Sequence, residues 1–351
     1  MMQVADLFKT FVLQRQHRLH LLFRVNLNRI QLKDRITTDF WPVTMPRLEF
    51  SFRGFIVPVL TPFKDDSART IDISVIPKYA AYLEKKGVKG ILVNGTSGEG
   101  MSMCVAERKT VAVAWSNAVK TTKQHLMIQV GGAPLPDVLE LAKHAESIKA
   151  DSLLCLPELY FKPSNSEDLT EYLNMVGKAA PSTPLLYYHF PEMTNVNIHM
   201  GQCLGSLGDR IPSFVGIKFT STNLEEVSQA LNVDNGKYAI FLGSDQIMVA
   251  GMALGLNSFI PTSVNMFPEL ALEMLEAGKK GDFTTARKCQ EKLSKAVIII
   301  SKYGTWVQTM KAAMNILTDI NVGIPRAPLK ALCEEQIASM KNELSHLNYK
   351  I

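Results

Sequence analysis

The chain has 351 residues, 46% of them hydrophobic, enough to bury a large core in one or two domains. Its net charge of +5 lies mostly at the front: residues 1–44 carry seven Lys or Arg and three Asp or Glu, leaving 31 basic and 30 acidic residues for the rest. This near-neutral body offers no case for nucleic-acid binding, and no apolar run approaches the roughly 18 residues that span a bilayer.

Five cysteines (Cys104, Cys155, Cys203, Cys289 and Cys333) form no C-x-x-C pair, and their number is odd. A disulfide framework and a structural zinc site are therefore not expected, and a reducing, cytoplasmic setting is. No His, Cys, Asp or Glu cluster has metal-ligand spacing, so no metal is expected.

Residues 1–44 read as an N-terminal extension. Arg15, Arg18, Arg24, Arg29 and Arg35 lie among Leu, Phe and Val, a pattern shared by a mitochondrial presequence and by an untranslated or alternative first exon read as protein; the segment is Ser-poor, which weighs against targeting, and a disordered extension is the remaining reading. Met45 begins a more ordinary globular sequence and is the expected working start.

From Phe55 onward, short apolar runs alternate with segments of helical period. The spacing predicts strands at Phe55–Leu60, Gly90–Val93, Leu126–Val130, Ser152–Leu156, Pro184–Tyr188, Phe214–Phe219, Ala239–Leu242 and Ser258–Ile260. Helices are predicted between them, among them Asp72–Lys86, Val105–Thr122, Pro136–Lys149 and Asp168–Ala179. Strands that are apolar throughout suit parallel strands buried on both faces. Eight of them alternating with helices predict an α/β chain folded as a closed (β/α)8 TIM barrel. An open doubly wound sheet would carry a Gly-rich turn after its first strand, where this chain has Val59-Leu60-Thr61-Pro62-Phe63. Helical patterning continues at Pro268–Ala277, Phe283–Ser301, Trp306–Leu317 and Leu329–Leu344. The expected organisation is an extension at 1–44, a catalytic barrel at 45–280, and a C-terminal helical appendage at 281–351 packed on the barrel.

Four motifs fall at the C-terminal ends of predicted strands. Asn94-Gly95-Thr96-Ser97-Gly98-Glu99-Gly100 follows the second strand, and its hydroxyls and backbone N–H groups suit an anion. No Lys follows the glycines, so a carboxylate fits better than a nucleotide phosphate. A Gly-rich connection with Ser97 as a cap is the alternative. Tyr187-Tyr188-His189-Phe190-Pro191 ends the fifth strand; a tyrosine hydroxyl at a barrel mouth can relay protons, or the ring can simply pack. His189 has no partner acid at useful sequence spacing and reads as structural.

Lys218 lies in the apolar run Val215-Gly216-Ile217-Lys218-Phe219-Thr220. Burial disfavours an ammonium and favours the neutral, nucleophilic amine; the competing reading is a strand-end lysine that reaches back to solvent. Gly216 suggests space near the backbone. Gly243-Ser244-Asp245-Gln246 and Pro261-Thr262-Ser263-Val264-Asn265 follow strands seven and eight, and so share the barrel face where active sites of this fold are built.

Asn94–Gly100, Tyr188-His189-Phe190-Pro191 and Gly216-Ile217-Lys218 together resemble the dihydrodipicolinate synthase / N-acetylneuraminate lyase superfamily, over about Gly54 to Lys330. The branch resembled more closely is that of the animal N-acetylneuraminate lyases (sialic acid aldolases), through Val93-Asn94-Gly95-Thr96, Tyr187-Tyr188-His189, Lys218-Phe219-Thr220 and Gly323–Leu329. The synthase branch carries an Arg where this chain has Glu192-Met193-Thr194. The resemblance implies a class I aldolase that reversibly cleaves N-acetylneuraminate to N-acetylmannosamine and pyruvate. It implies Lys218 as Schiff-base amine and Tyr188 as acid/base residue. Thr96 and Ser97 would hold the substrate carboxylate, Thr220, Gly243, Asp245, Gln246 and Thr262 would line the sugar-tail site, and Tyr160 would lie near the site or at a subunit contact. It further implies no cofactor, no nucleic-acid or membrane partner, and a homotetramer. Two departures bear on the tail: Gln246 stands where the family has Glu, and Thr262 where it has Ser. The alternatives are another pyruvate-dependent aldolase acting on a 2-keto-3-deoxy sugar acid or hydroxy-oxoglutarate, and a catalytically silent sugar-acid-binding member.

Overall fold

The computed structural model describes residues 46–347. The expectations for residues 1–44 and for a start at Met45 fall outside this range. Eight strands, β1 (Gly54–Pro58), β2 (Gly90–Val93), β3 (His125–Gln129), β4 (Ser152–Cys155), β5 (Leu185–His189), β6 (Phe214–Phe219), β7 (Ala239–Leu242) and β8 (Ser258–Phe259), form a closed parallel barrel in chain order. β8 pairs back onto β1 through Gly54↔Ser258 and Phe55↔Phe259. The fold is the expected TIM barrel. β1 and β8 are shorter than their apolar runs, yet each run stays on the ladder: Val59 N–H donates to Leu92 O at 3.0 Å and Ile260 N–H to Leu242 O at 2.8 Å.

Each strand is followed by a helix: α1 (Ile76–Lys85), α2 (Val105–Thr122), α3 (Leu135–Ser147), α4 (Ser166–Ala179), α5 (Met200–Leu207), α6 (Leu224–Asn232), α7 (Met248–Ala253) and α8 (Pro268–Lys279). Among the described residues a single turn at Pro191–Thr194 precedes α5, and three more helices, α9 (Phe283–Ser301), α10 (Trp306–Leu317) and α11 (Glu334–Ser345), follow the barrel. Their buried residues Ala286, Leu293, Val297, Met310, Met314 and Met340 join the same hydrophobic cluster as the outward faces of the strands. The last helix starts at Glu334 rather than Leu329. Cys333 caps it in a box with Gln336, and Pro325 and Pro328 precede it in a segment that lacks helical N–H donors. Among the described residues no helix is long and apolar enough to cross a membrane.

The strand period of two sorts side chains into two layers. Ile56, Leu92, Met127, Leu154, Leu186, Tyr188 and Phe241 fill the barrel interior. Phe55, Val57, Ile91, Leu153, Tyr187, Ile217 and Phe219 face the helices. Leu48, Phe50 and Phe52 pack against the interior cluster from the N-terminal end. There Phe50 and Phe52 lie 5.7 and 4.6 Å from the His125 ring and 6.2 and 6.5 Å from the Phe241 ring. That end is closed by aromatic rings.

Candidate active site

Lys218 is next to last in β6, between the outward-facing Ile217 and Phe219. Alternation sends its side chain inward, and it is only 4% exposed. It does not reach solvent. Its Nζ donates to the Tyr188 hydroxyl at 2.9 Å and lies 4.1 Å from the centre of that ring. Tyr188 comes from the neighbouring β5, directly in register with Lys218, and Phe190 stacks on it at 5.9 Å. The Tyr188 oxygen lies 3.2 Å from the Thr96 hydroxyl. Amine, phenol and hydroxyl thus form one chain across the mouth of the barrel.

Gly216 does not make room for the lysine. A Cβ there would fall 2.0 Å from Ala239 O, so its bareness lets β6 and β7 approach. The glycine that makes room is Gly243: a Cβ would lie 2.1 Å from the Thr220 hydroxyl and 3.0 Å from Lys218 Cε. The Thr220 Oγ1 is buried and has no hydrogen-bond partner among the described residues. It is an unpaired polar group beside Gly243, and such a group in a native structure calls for an explanation.

Ser97, one residue after Thr96, shares a 2.7 Å hydrogen bond with the Thr262 hydroxyl. Thr262 also accepts from Trp306 Nε1 at 3.3 Å. Asp245 is buried and accepts from Ser263 N at 2.7 Å. Burial pushes its carboxyl above the ordinary aspartate value, while hydrogen bonds from Ser263 and Thr262 and the charge of Lys218 act the other way. Gln246 is exposed just before α7. Tyr160 is 83% exposed and pairs edge-on with Phe161 at 5.0 Å. The described residues therefore gather Lys218, Tyr188, Thr96, Thr220 and Gly243 around one space, with Ser97, Thr262 and Asp245 bonded along its rim. Gln246 and Tyr160 make no bond to this group.

His189 faces outward and stacks on Phe219 at 5.1 Å. It does have an acid neighbour: Glu226 of α6 lies 3.7 Å from Nε2, 37 residues away in sequence. That is too long for a hydrogen bond, and neither ring nitrogen has a hydrogen-bond partner among the described residues. Burial, reinforced by the nearby His199, holds the imidazole down at about 4, so it is neutral. Its role is packing.

Trp306 is the rim residue that sequence reading missed. Only a capping box at Thr305 and Gln308 marks it, as a helix start; nothing local reports a contact with Thr262, 44 residues earlier.

Residues 51–347 match the model of the dihydrodipicolinate synthetase family. The chain is 35% identical over 296 residues to N-acetylneuraminate lyase of Gallus gallus, covering 84% of this chain and 96% of that protein. It is 33% identical over 299 residues to the Homo sapiens N-acetylneuraminate lyase, covering 85% and 93%. Among solved structures, the N-acetylneuraminate lyase of Proteus mirabilis superposes with a TM-score of 0.80 at 35% identity, covering 85% of this chain and 99% of that one. That of Aliivibrio salmonicida gives 0.81 at 32%, covering 86% and 99%.

Proposed function

The chain belongs to the dihydrodipicolinate synthetase family, and on that footing we propose that it is a class I aldolase, an N-acetylneuraminate lyase that forms and cleaves sialic acid through a Schiff base on Lys218. The supporting observation is the chain Lys218 Nζ–Tyr188 Oη–Thr96 Oγ1, at 2.9 and 3.2 Å, inside the mouth of the barrel.

The neutral amine of Lys218 attacks the 2-oxo carbon of open-chain N-acetylneuraminate, and loss of water leaves an imine. Tyr188, within reach of Lys218 and Thr96, relays the protons that the carbinolamine gains and loses. It then takes the proton from the C4 hydroxyl as the C3–C4 bond breaks. The bonding electrons flow into the protonated imine, N-acetylmannosamine departs, and the remaining enamine is protonated at C3 and hydrolysed to pyruvate. The iminium is itself the electron sink, so the scheme calls for no metal or organic cofactor. Thr96 and Ser97 hold the carboxylate, Thr220 and the bare Gly243 border the carbon chain, and Asp245, Gln246 and Thr262 lie toward the sugar tail. The same reading carries a cytoplasmic homotetramer with Tyr160 at a subunit contact. The high exposure of Tyr160 and Phe161 beside Pro134, Leu135 and Met175 supports the contact.

Borohydride reduction in the presence of pyruvate tests the proposal. The expected result is one stable adduct on Lys218, and pyruvate release from N-acetylneuraminate by the untreated enzyme. Absence of the adduct overturns the Schiff-base assignment. A second substrate reading has its own support: Asp245 and Thr262 are already bonded to protein groups, and Gln246 carries no charge. Fewer acceptors then face a long polyol, as a shorter 2-keto-3-deoxy acid requires. A higher kcat/KM for such an acid than for N-acetylneuraminate would decide for it.

A further inference from the structure

Lys311, in the middle of α10, is 0% exposed. Its ammonium has three neighbours. Nζ lies 2.7 Å from Glu99 Oε1, donates to Ile324 O at 3.2 Å, and sits 4.1 Å from the centre of the Phe63 ring. The Glu99 side chain is equally buried, and its other oxygen accepts from the backbone N–H of Arg326 at 2.8 Å. Burial pulls the Lys311 ammonium down to about 8 despite the attraction of Glu99. A buried ion pair is a poor means of gaining stability, since apolar residues of the same volume do as well or better. What such a pair supplies is a fixed position.

Glu99 is next to last in the Gly-rich loop. It adopts a left-handed backbone, φ 54°, unusual for a residue with a Cβ. Its N–H donates to Thr96 O at 3.1 Å, so holding Glu99 holds the turn that presents Thr96. The first residue of the same helix acts on the neighbouring hydroxyl, because Trp306 Nε1 binds Thr262 and Thr262 binds Ser97. One helix outside the eight βα units therefore grips both hydroxyls of the loop, Thr96 through Lys311 and Glu99, and Ser97 through Trp306 and Thr262.

We propose that Lys311, Glu99 and Trp306 are positioning residues for carboxylate recognition, so that the C-terminal helix α10 sets the affinity of the site for the 2-oxo acid. This rests on the aldolase reading, in which Thr96 and Ser97 receive the carboxylate.

The test uses the full chain and reads pyruvate and N-acetylmannosamine separately, because only pyruvate carries a carboxylate. The double variant Glu99→Gln/Lys311→Met removes both charges at nearly constant volume. Its half-saturating pyruvate concentration in borohydride trapping should rise about 10-fold, since displacement of a binding group by a fraction of an ångström has effects of that order. The adduct yield at saturating pyruvate and the KM for N-acetylmannosamine should stay within about 2-fold, a smaller change than loss of one hydrogen bond produces. Trp306→Phe keeps both charges and the packing and removes one N–H; it should raise half-saturating pyruvate about 3-fold, as loss of one neutral hydrogen bond does. A role in stability alone would lower the melting temperature and the adduct yield and leave half-saturation unmoved. That result in the folded double variant, or in Trp306→Phe if the double variant does not fold, overturns the inference while the aldolase reading stands. A wild type that traps no pyruvate overturns both.

Discussion

The two ends of the barrel are made by the same eight strands and share almost no chemistry. At the N-terminal end Leu48, Phe50 and Phe52 lie over the interior cluster, and Phe52 approaches Gly90 so closely that a Cβ there would fall 2.8 Å from its ring. At the C-terminal end the same interior column finishes in an amine, a phenol and hydroxyls within hydrogen-bonding distance of one another. Apolar closure needs only volume and contact, and can be supplied by a segment that precedes the barrel. The polar end needs positions fixed to fractions of an ångström, and is held from several directions. Substitutions at the two ends should therefore change different measurements.

The largest separation is expected from Lys218→Ala. Turnover and pyruvate trapping should fall by at least ~10⁴-fold, as loss of a nucleophile does, with the melting temperature within a few degrees of wild type. A normal yield of reduced adduct would sink the assignment. Tyr188→Phe keeps the ring and the packing on Phe190, and should lower kcat by roughly 10²–10⁴-fold, the usual contribution of a positioned acid/base group. Prolonged borohydride treatment should still trap pyruvate on it. An unchanged kcat would move the proton relay elsewhere.

The wall between the ends is tested through pH. His189 titrates at about 4 when folded and near its ordinary value of 6.5 when unfolded. The unfolded chain then binds the extra proton between those values, so stability falls as pH drops from 6.5 to 4. The full effect is about 3 kcal/mol. Urea midpoints measured across that range should fall in wild type and fall less in His189→Gln; parallel slopes would refute a neutral buried imidazole. At the closed end, Phe52→Ala should cost about 2 kcal/mol, less than a fully buried Phe because Phe52 is only partly covered. Its kcat/KM per folded molecule should match wild type, and a large loss there would mean that the two ends are coupled. The smallest effect is expected at the tail. Gln246→Glu should raise kcat/KM for N-acetylneuraminate roughly 2- to 10-fold through a charge-assisted hydrogen bond. No change on that substrate, with better activity on a shorter acid, would favour the alternative substrate.

What could be read from the sequence follows from how far each interaction reaches along the chain. Strands show as apolar runs because both their faces are buried. Lys218 stands out because it interrupts such a run, and the Gly-rich loop because its turn chemistry is contiguous. Four things could not be read that way. Gly216 looked like space for a lysine, but serves the approach of β7. His189 looked isolated, yet Glu226 faces it from the next βα unit. The pairing of Glu99 with Lys311 joins residues more than 200 positions apart, and no local pattern marks it. Asp245 was legible as a residue at the mouth, but its bond to Ser263 N was not, because backbone donors leave no mark on the amino-acid sequence.

The reach of α10 also has a consequence in time. A ribosome finishes the last strand at Phe259, yet Trp306, Lys311 and Arg326, which tie down the rim and the Gly-rich loop, are still unmade. At ~5–20 residues per second, about 70 further residues take roughly 4–14 s. For that interval the nascent chain has every strand of its barrel and Lys218, but no grip on the loop beside it. A chain cut short after the barrel would hold every strand and still lack the groups that bond to Glu99 and Thr262.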